Sequence, residues 1–284
     1  MKLGIVMEGG ASRTIFSCGV TDCFLEEGLT PDYFVGVSAG IAYGVSYLSG
    51  QKGRNWKLTE TYMSDKRYMG PKYLFDRNMK SFYNIPFVFG EIPNKLLPFD
   101  YEAFAAFPGE AEAVVTNIKT GCAEYLPVPR DDTDFSVVVA SCSLPVLFQP
   151  VKIGKNYYLD GGVADSVPFR RAFEQGCDKV IVILTRPRDY VKKQESSVHL
   201  ASRLYSRCPK LVERLKNRPQ EYNKCMQDLR LAEREGKVFV IAPKDTFGIG
   251  RTESSAKKLS ALYEEGYYQA KEDMHALRLY LQKQ

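Results

Sequence analysis

The sequence predicts an α/β protein in which a mostly parallel sheet is covered by helices on both faces. Three observations predict it. Short apolar runs rich in Val and Ile recur along the chain, without the polar alternation of a half-exposed sheet. Helical patterns separate these runs, as the crossovers between parallel strands require. With 284 residues and 44% hydrophobic side chains, the chain can bury such a sheet in one large domain.

The elements follow in order. Lys2–Met7 is an apolar run that stops at Glu8-Gly9-Gly10, a buried strand entering a tight turn. Phe16, Val20 and Phe24 recur every four residues, a helix that ends at Gly28. Tyr33–Val37 is a second strand, and a helix of small and apolar residues runs from Ser38 to about Gly50. Ala113–Ile118, Phe135–Ala140, Lys179–Leu184 and Lys237–Ile241 are further expected strands. From about Thr252, Leu259, Leu262, Tyr263, Gly266, Ala270, Met274 and Leu277 mark one apolar face of a helix that packs back onto the sheet. No repeat or low-complexity linker divides the chain. One domain over 1–284 is expected, with a C-terminal helical extension from about 186 packed on it.

Residues 82–107 differ in texture. Aromatic and aliphatic side chains alternate with Pro86, Pro93 and Pro98, too many prolines for one long helix. Such a stretch serves to line an apolar substrate pocket, as a lid, or as core beneath a broken loop.

Gly36-Val37-Ser38-Ala39-Gly40 is a Gly-x-Ser-x-Gly sequence set between an expected strand and an expected helix, the context in which a nucleophilic serine is exposed on a sharp turn. Gly36 and Gly40 remove side chains that would crowd that turn. The helix N-terminus favours negative charge developing nearby. A serine normally needs a histidine base, yet the chain has two histidines, His199 in a charged segment and His275 inside the last helix. Neither sits in a loop after a strand. Asp160, followed by Gly161 and Gly162, is the expected substitute: a carboxylate within reach of the hydroxyl takes its proton directly if burial raises its pKa. Gly9-Gly10-Ala11, with Arg13 beside it, is a run of small residues whose N–H groups can hold an oxyanion.

Composition narrows the class further. Seven scattered cysteines with no Cys-x-x-Cys pair argue against a disulfide framework and against zinc. The N-terminal apolar stretch is too short for a signal peptide, so a cytoplasmic protein with reduced thiols is expected. No cluster implies a metal or an organic cofactor; Asp131-Asp132-Thr133-Asp134 is the one candidate group of oxygen ligands and reads as a solvated loop. Residues 186–235 hold 13 Lys or Arg against 7 Asp or Glu, whereas the rest is near neutral. This basic segment and the apolar 82–107 stretch permit peripheral membrane contact. A nucleic-acid partner has charge alone behind it and is not expected. The oligomeric state is not legible.

Taken together and in this order, the glycine-rich loop, the Gly-x-Ser-x-Gly elbow and Asp160-Gly161-Gly162 resemble the patatin-like phospholipases. Ala140-Ser141-Cys142-Ser143-Leu144-Pro145 and Gly250-Arg251-Thr252-Glu253 are similar to further segments of that family. The resemblance implies a three-layer α/β/α fold and a lipid acyl hydrolase whose Ser–Asp dyad works without histidine, on phospholipids or related acyl esters. It assigns Ser38 as nucleophile, Asp160 as general base and acid, and Gly9, Gly10 and Ala11 as oxyanion donors. Ala11 and Thr14 stand where the family usually has glycine, and Ser166 where it usually has Asn. If position 11 needs a positive φ, alanine there is strained, which favours a rival reading: a catalytically weak lipid-binding or regulatory protein on the same fold.

Overall fold

A computed structural model describes residues 1–77 and 79–282. The chain runs β1 (Leu3–Met7), a 3₁₀ turn (Ala11–Thr14), α1 (Ile15–Glu26), β2 (Tyr33–Val37), α2 (Ala39–Leu48), α3 (Arg54–Tyr62), a second 3₁₀ turn (Pro71–Leu74) and a π-helix (Pro86–Leu96). It continues with α4 (Tyr101–Ala106), β3 (Glu110–Asn117), β4 (Ala123–Pro127), α5 (Ser136–Ser141), β5 (Val151–Ile153), β6 (Asn156–Asp160) and a 3₁₀ turn (Gly161–Val163). The last part is α6 (Phe169–Glu174), β7 (Lys179–Ile183), α7 (Ser197–Leu204), α8 (Pro209–Arg234), β8 (Val238–Ile241) and α9 (Ala256–Gln282).

The order β8-β7-β1-β2-β3 is parallel throughout, and β4, β5 and β6 add antiparallel pairs on the β3 side. Alternate residues of the central strands enter two separate cores. Ile5, Met7, Phe34, Ile181 and Ile183 pack with α1, α2 and α9. Val6, Val35, Val37, Val180 and Val182 pack with α6 and α8. This is a three-layer α/β/α sandwich, and it explains the unbroken apolar runs: both faces of each strand are covered. On the first face α1 and α9 cross closely, because a Cβ at Gly19 would lie 2.0 Å from Tyr263 O and one at Gly266 would lie 2.0 Å from Phe16 O. Among the described residues no helix is long and apolar enough to cross a membrane.

The edges of β3 position the site. Residues 112–116 pair with β4. Residues 110–114 also pair with β2 and residues 115–117 with β6, so β2 and β6 must share the edge opposite β4. They run toward each other along it. Val37 stands opposite Val114 and Asp160 opposite Val115, so the C-terminal ends of the two strands meet head-on. That meeting brings Ser38 and Asp160 together.

Phe135–Ala140, expected as a strand, is instead part of the short helix α5. Both edges of β3 are occupied, and the Asp132 carboxylate accepts a bond from Ser136 N at 2.7 Å, seeding a helical turn. The Val-rich run has no strand to pair with, so tertiary context overrides its propensity. Residues 82–107 form the π-helix and α4, broken near Pro98, and they divide between core and cavity wall. Phe87, Ile92 and Phe104 are core, while Val88, Phe89, Pro93 and Phe99 line a cavity.

Candidate active site

Ser38 leaves β2 at φ 53°, ψ −127° and caps the N-terminus of α2. A positive φ is costly for a non-glycine residue, and here the surroundings enforce it. A Cβ at Gly36 would lie 2.6 Å from Ile41 N, and one at Gly40 would lie 2.3 Å from Met7 O. Both glycines of the elbow are thus required by close backbone approach, as the sequence predicts. The Ser38 N–H donates to Ser141 Oγ at 2.8 Å, and Ser141 Oγ donates to Val114 O at 2.7 Å. Ser141 therefore pins the elbow to β3.

Asp160 is 2% exposed. Its Oδ1 accepts from Gly162 N at 2.8 Å, its N–H donates to Ser143 O at 2.8 Å, and its carbonyl accepts from Thr116 Oγ1 at 2.8 Å. Gly161 follows without a side chain because a Cβ there would lie 2.1 Å from Val114 O. Asp160 Oδ2 is buried and accepts no well-formed hydrogen bond among the described residues. Burial raises the Asp160 pKa, and the Ser38 hydroxyl, the Arg218 and Arg251 charges and the Gly162 N–H oppose the rise. Ser38 and Asp160 border one pocket, and among the described residues no closed hydrogen bond joins them. Catalytic hydrogen bonds commonly tighten only when substrate is bound. Neither His199 nor His275 lines either of the two pockets that contain Ser38.

The Gly9-Gly10-Ala11 loop lies against the elbow. A Cβ at Gly9 would lie 2.6 Å from Val37 O and one at Gly10 would lie 2.6 Å from Thr185 Oγ1. Glu8, a buried carboxylate that the sequence reading passed over, holds Thr185 in place. It accepts from Thr185 N at 2.7 Å and from Tyr222 OH at 2.8 Å, joining the ends of β1 and β7 to α8. Ala11 has φ 50°, so its alanine does carry left-handed strain. Thr14 has φ −64°, an ordinary helical value, and needs no glycine. Ser166 Oγ donates to Gly162 O at 2.8 Å and supports the Asp160 turn. Ala11→Gly removes the strain but also loosens the unfolded chain; the first effect is the larger, and Tm is expected to rise by about 1–3 °C in a thermal melt.

Two pockets of opposite character meet at Ser38. One is an apolar cavity of about 1020 Å³ open to solvent, lined by Ala42, Tyr43, Leu58, Val88, Phe99 and Phe148 among others. The other contains Ser38, Asp160, Gly9, Gly10, Ala11, Gly162 and Arg13, so the expected site residues converge there. It also contains Lys192, Arg218 and Arg251, which the sequence reading did not place at the site. Arg218 Nε donates to Gly162 O at 2.6 Å, and Arg251 O accepts from Ser12 Oγ at 2.9 Å, so the C-terminal third grips both the Asp160 turn and the loop after β1. Glu195 joins them, accepting from Arg251 Nη2 at 2.6 Å and Arg218 Nη1 at 3.1 Å. Burial pushes the Glu195 carboxyl up, but Arg251, Arg218 and Lys192 outweigh it and hold the pKa at about 2.

Residues 5–173 match the family model of patatin-like phospholipases, and residues 208–282 match a domain of unknown function, DUF6363. The uncharacterized protein YjjU of Escherichia coli is 28% identical over 203 residues, 66% of this chain and 52% of YjjU. Lysophospholipase NTE1 of Cryptococcus neoformans is 27% identical over 215 residues, 66% of this chain and 12% of that protein. The chain thus spans about half of one relative and a small part of the other. Among solved structures, VipD from Legionella pneumophila aligns over 97% of this chain and 66% of its own, with a TM-score of 0.46 and 14% identity.

Proposed function

This chain belongs to the patatin-like phospholipase family, and from that premise we propose that it is a lipid acyl hydrolase working through a Ser38–Asp160 dyad and an acyl-enzyme. The observation that carries the reading is the strained Ser38 elbow set beside a buried carboxylate whose free oxygen has no other partner. Similarity to a lysophospholipase supports a single-chain phospholipid or related ester as substrate.

In this mechanism the acyl chain enters the apolar cavity and presents its ester carbonyl to Ser38. Asp160 accepts the Ser38 proton as Oγ attacks the carbonyl carbon. The N–H groups of Gly9, Gly10 and Ala11 stabilise the oxyanion. As the tetrahedral intermediate collapses, the C–O bond to the leaving alcohol breaks and Asp160 returns the proton to that oxygen. Water then attacks the acyl-enzyme, gives its proton to Asp160, and releases the carboxylic acid as Ser38 regains the proton. Burial of Asp160 matches its pKa to this task better than an exposed aspartate would. The rate kcat/KM is then expected to rise with pH through a pKa above the ordinary value of about 3.9 for Asp.

Labelling of the whole protein with a fluorophosphonate, followed by peptide mass spectrometry, tests the reading. Modification at Ser38 that is weakened at least tenfold by Asp160→Asn supports an activated dyad. Folded protein that is not modified at Ser38 overturns it and leaves the lipid-binding reading. The acyl cavity makes a separate prediction. Ala42 stands one turn of α2 beyond Ser38 and lines the cavity. Ala42→Phe is expected to lower kcat/KM for dodecanoyl esters about tenfold or more relative to butanoyl esters, read from a chain-length series.

A further inference from the structure

The second pocket has a charge that the dyad does not need. Arg13, Arg186, Lys192, Arg218 and Arg251 line it, against the carboxylates of Glu8 and Asp160. Glu195 lies just behind and is shared by three of the cations, with Lys192 Nζ at 3.5 Å, Arg218 at 3.1 Å and Arg251 at 2.6 Å. Arg13 is 6% exposed, and its guanidinium makes no hydrogen bond or ion pair among the described residues; its Nε is buried without a partner. A buried guanidinium without an acceptor is costly unless an anion completes it. Burial and the nearby Arg186 charge push the Arg13 pKa down to about 10.

The walls are fixed. Asn223 on α8 clasps the backbone of Lys192, accepting from its N–H at 2.8 Å and donating to its carbonyl at 3.0 Å. The Lys192 ammonium lies 5.2 Å from the Tyr222 ring centre, and its side chain is 11% exposed. Ser38 borders this pocket and the apolar cavity alike, so one ester reaching Ser38 would have its acyl chain on one side and its alcohol part on the other.

We propose that this cationic pocket binds the phosphate of the substrate's head group, making the preferred substrate a monoacyl glycerophosphate, with Lys192, Arg218 and Arg251 determining that specificity. The inference rests on the hydrolase reading above. Charge-assisted bonds to a phosphate are among the strongest side-chain contacts, and arginine forks match its geometry. Burial and the neighbouring Arg218 push Lys192 down to about 8, against the pull of Glu195; Arg251 and Glu8 also face it. Phosphate affinity therefore falls as pH rises through about 8, where Lys192 loses its proton.

The test uses the whole chain in two arms. Calorimetric titration of the Ser38→Ala protein with sn-glycerol 3-phosphate and with inorganic phosphate reads binding without turnover. Steady-state kinetics compares lysophosphatidic acid with the uncharged monoacylglycerol of the same chain length. The expected result is binding of glycerol 3-phosphate that Lys192→Met weakens about tenfold or more and Lys192→Arg largely preserves. In kinetics, Lys192→Met lowers the preference for the phosphate-bearing ester by a similar factor, mainly through KM. Absence of glycerol 3-phosphate binding, with a preference that Lys192→Met does not change, overturns the pocket assignment even where monoacylglycerol is hydrolysed and the hydrolase reading stands. Lys192-dependent binding without hydrolysis of either ester supports the pocket and overturns the hydrolase reading instead. Binding of inorganic phosphate but not glycerol 3-phosphate assigns the pocket to the free ion and overturns the head-group assignment.

Discussion

Asp160→Asn is expected to lower kcat/KM for acyl esters by about 10³–10⁴ and, at neutral pH, to raise Tm. The two effects have one cause. The carboxylate is buried with one oxygen lacking a hydrogen-bond partner among the described residues, and burial raises its pKa. A carboxyl whose folded pKa lies above its unfolded value contributes stability at low pH and loses it as pH rises through the folded pKa. At pH 7 the ionised form is therefore a burden on the fold. Asn keeps the acceptor for Gly162 N, offers Ser38 a donor and carries no charge. A gain of about 2–4 °C is expected, the shift that ~1 kcal/mol produces in a chain of this size. Esterase assays with scanning calorimetry at pH 7 and pH 4 check it. The stability gain should shrink at pH 4, and an inactive variant less stable than the parent at both pH values would contradict the account.

Gly161→Ala is expected to be the most damaging single methyl addition at the site. The new Cβ would lie 2.1 Å from Val114 O and 2.5 Å from Val114 C. Both atoms belong to the central strand that carries β2 and β6, so neither can move without displacing Ser38 or Asp160. A loss of at least about 5 °C in Tm and about 100-fold in kcat/KM is expected. Gly154→Ala is the internal comparison. Gly154 has φ +58° but nothing within 4 Å, so alanine there should cost only about 1 kcal/mol and leave the site intact. Equal behaviour of the two variants would refute the steric argument.

Much of this molecule is legible in its sequence where the determinants are local. The strands over 3–7, 33–37, 179–183 and 238–241 are buried on both faces and read as continuous apolar runs. Ser38 and Asp160 are legible because each sits beside glycines that close packing demands. Short strands β4 and β5 are not, since their residues are half-exposed and carry no clear period. Phe135–Ala140 misleads because a Val-rich run does not say whether a partner edge is free. Ser141 and Ser143, which hold the elbow and Asp160, are visible in sequence only as part of a family-like segment. Glu8, Lys192, Glu195, Arg218 and Arg251 converge from β1, the loops and α8. Their charge is visible in the composition, but where it gathers is set by folding.

The meeting of β2 and β6 along one edge of β3 makes β3 a splint across a butt joint. No covalent path bridges the joint, so the gap between Ser38 and Asp160 is set by the register of each strand on the splint. Sliding β6 by one residue would shift Asp160 by about 3.4 Å and turn its side chain to the other face of the sheet. Thr116 and Ser143, by fixing the Asp160 backbone, act as the dowels of that joint, and the spacing of Ser38 and Asp160 is a property of strand alignment.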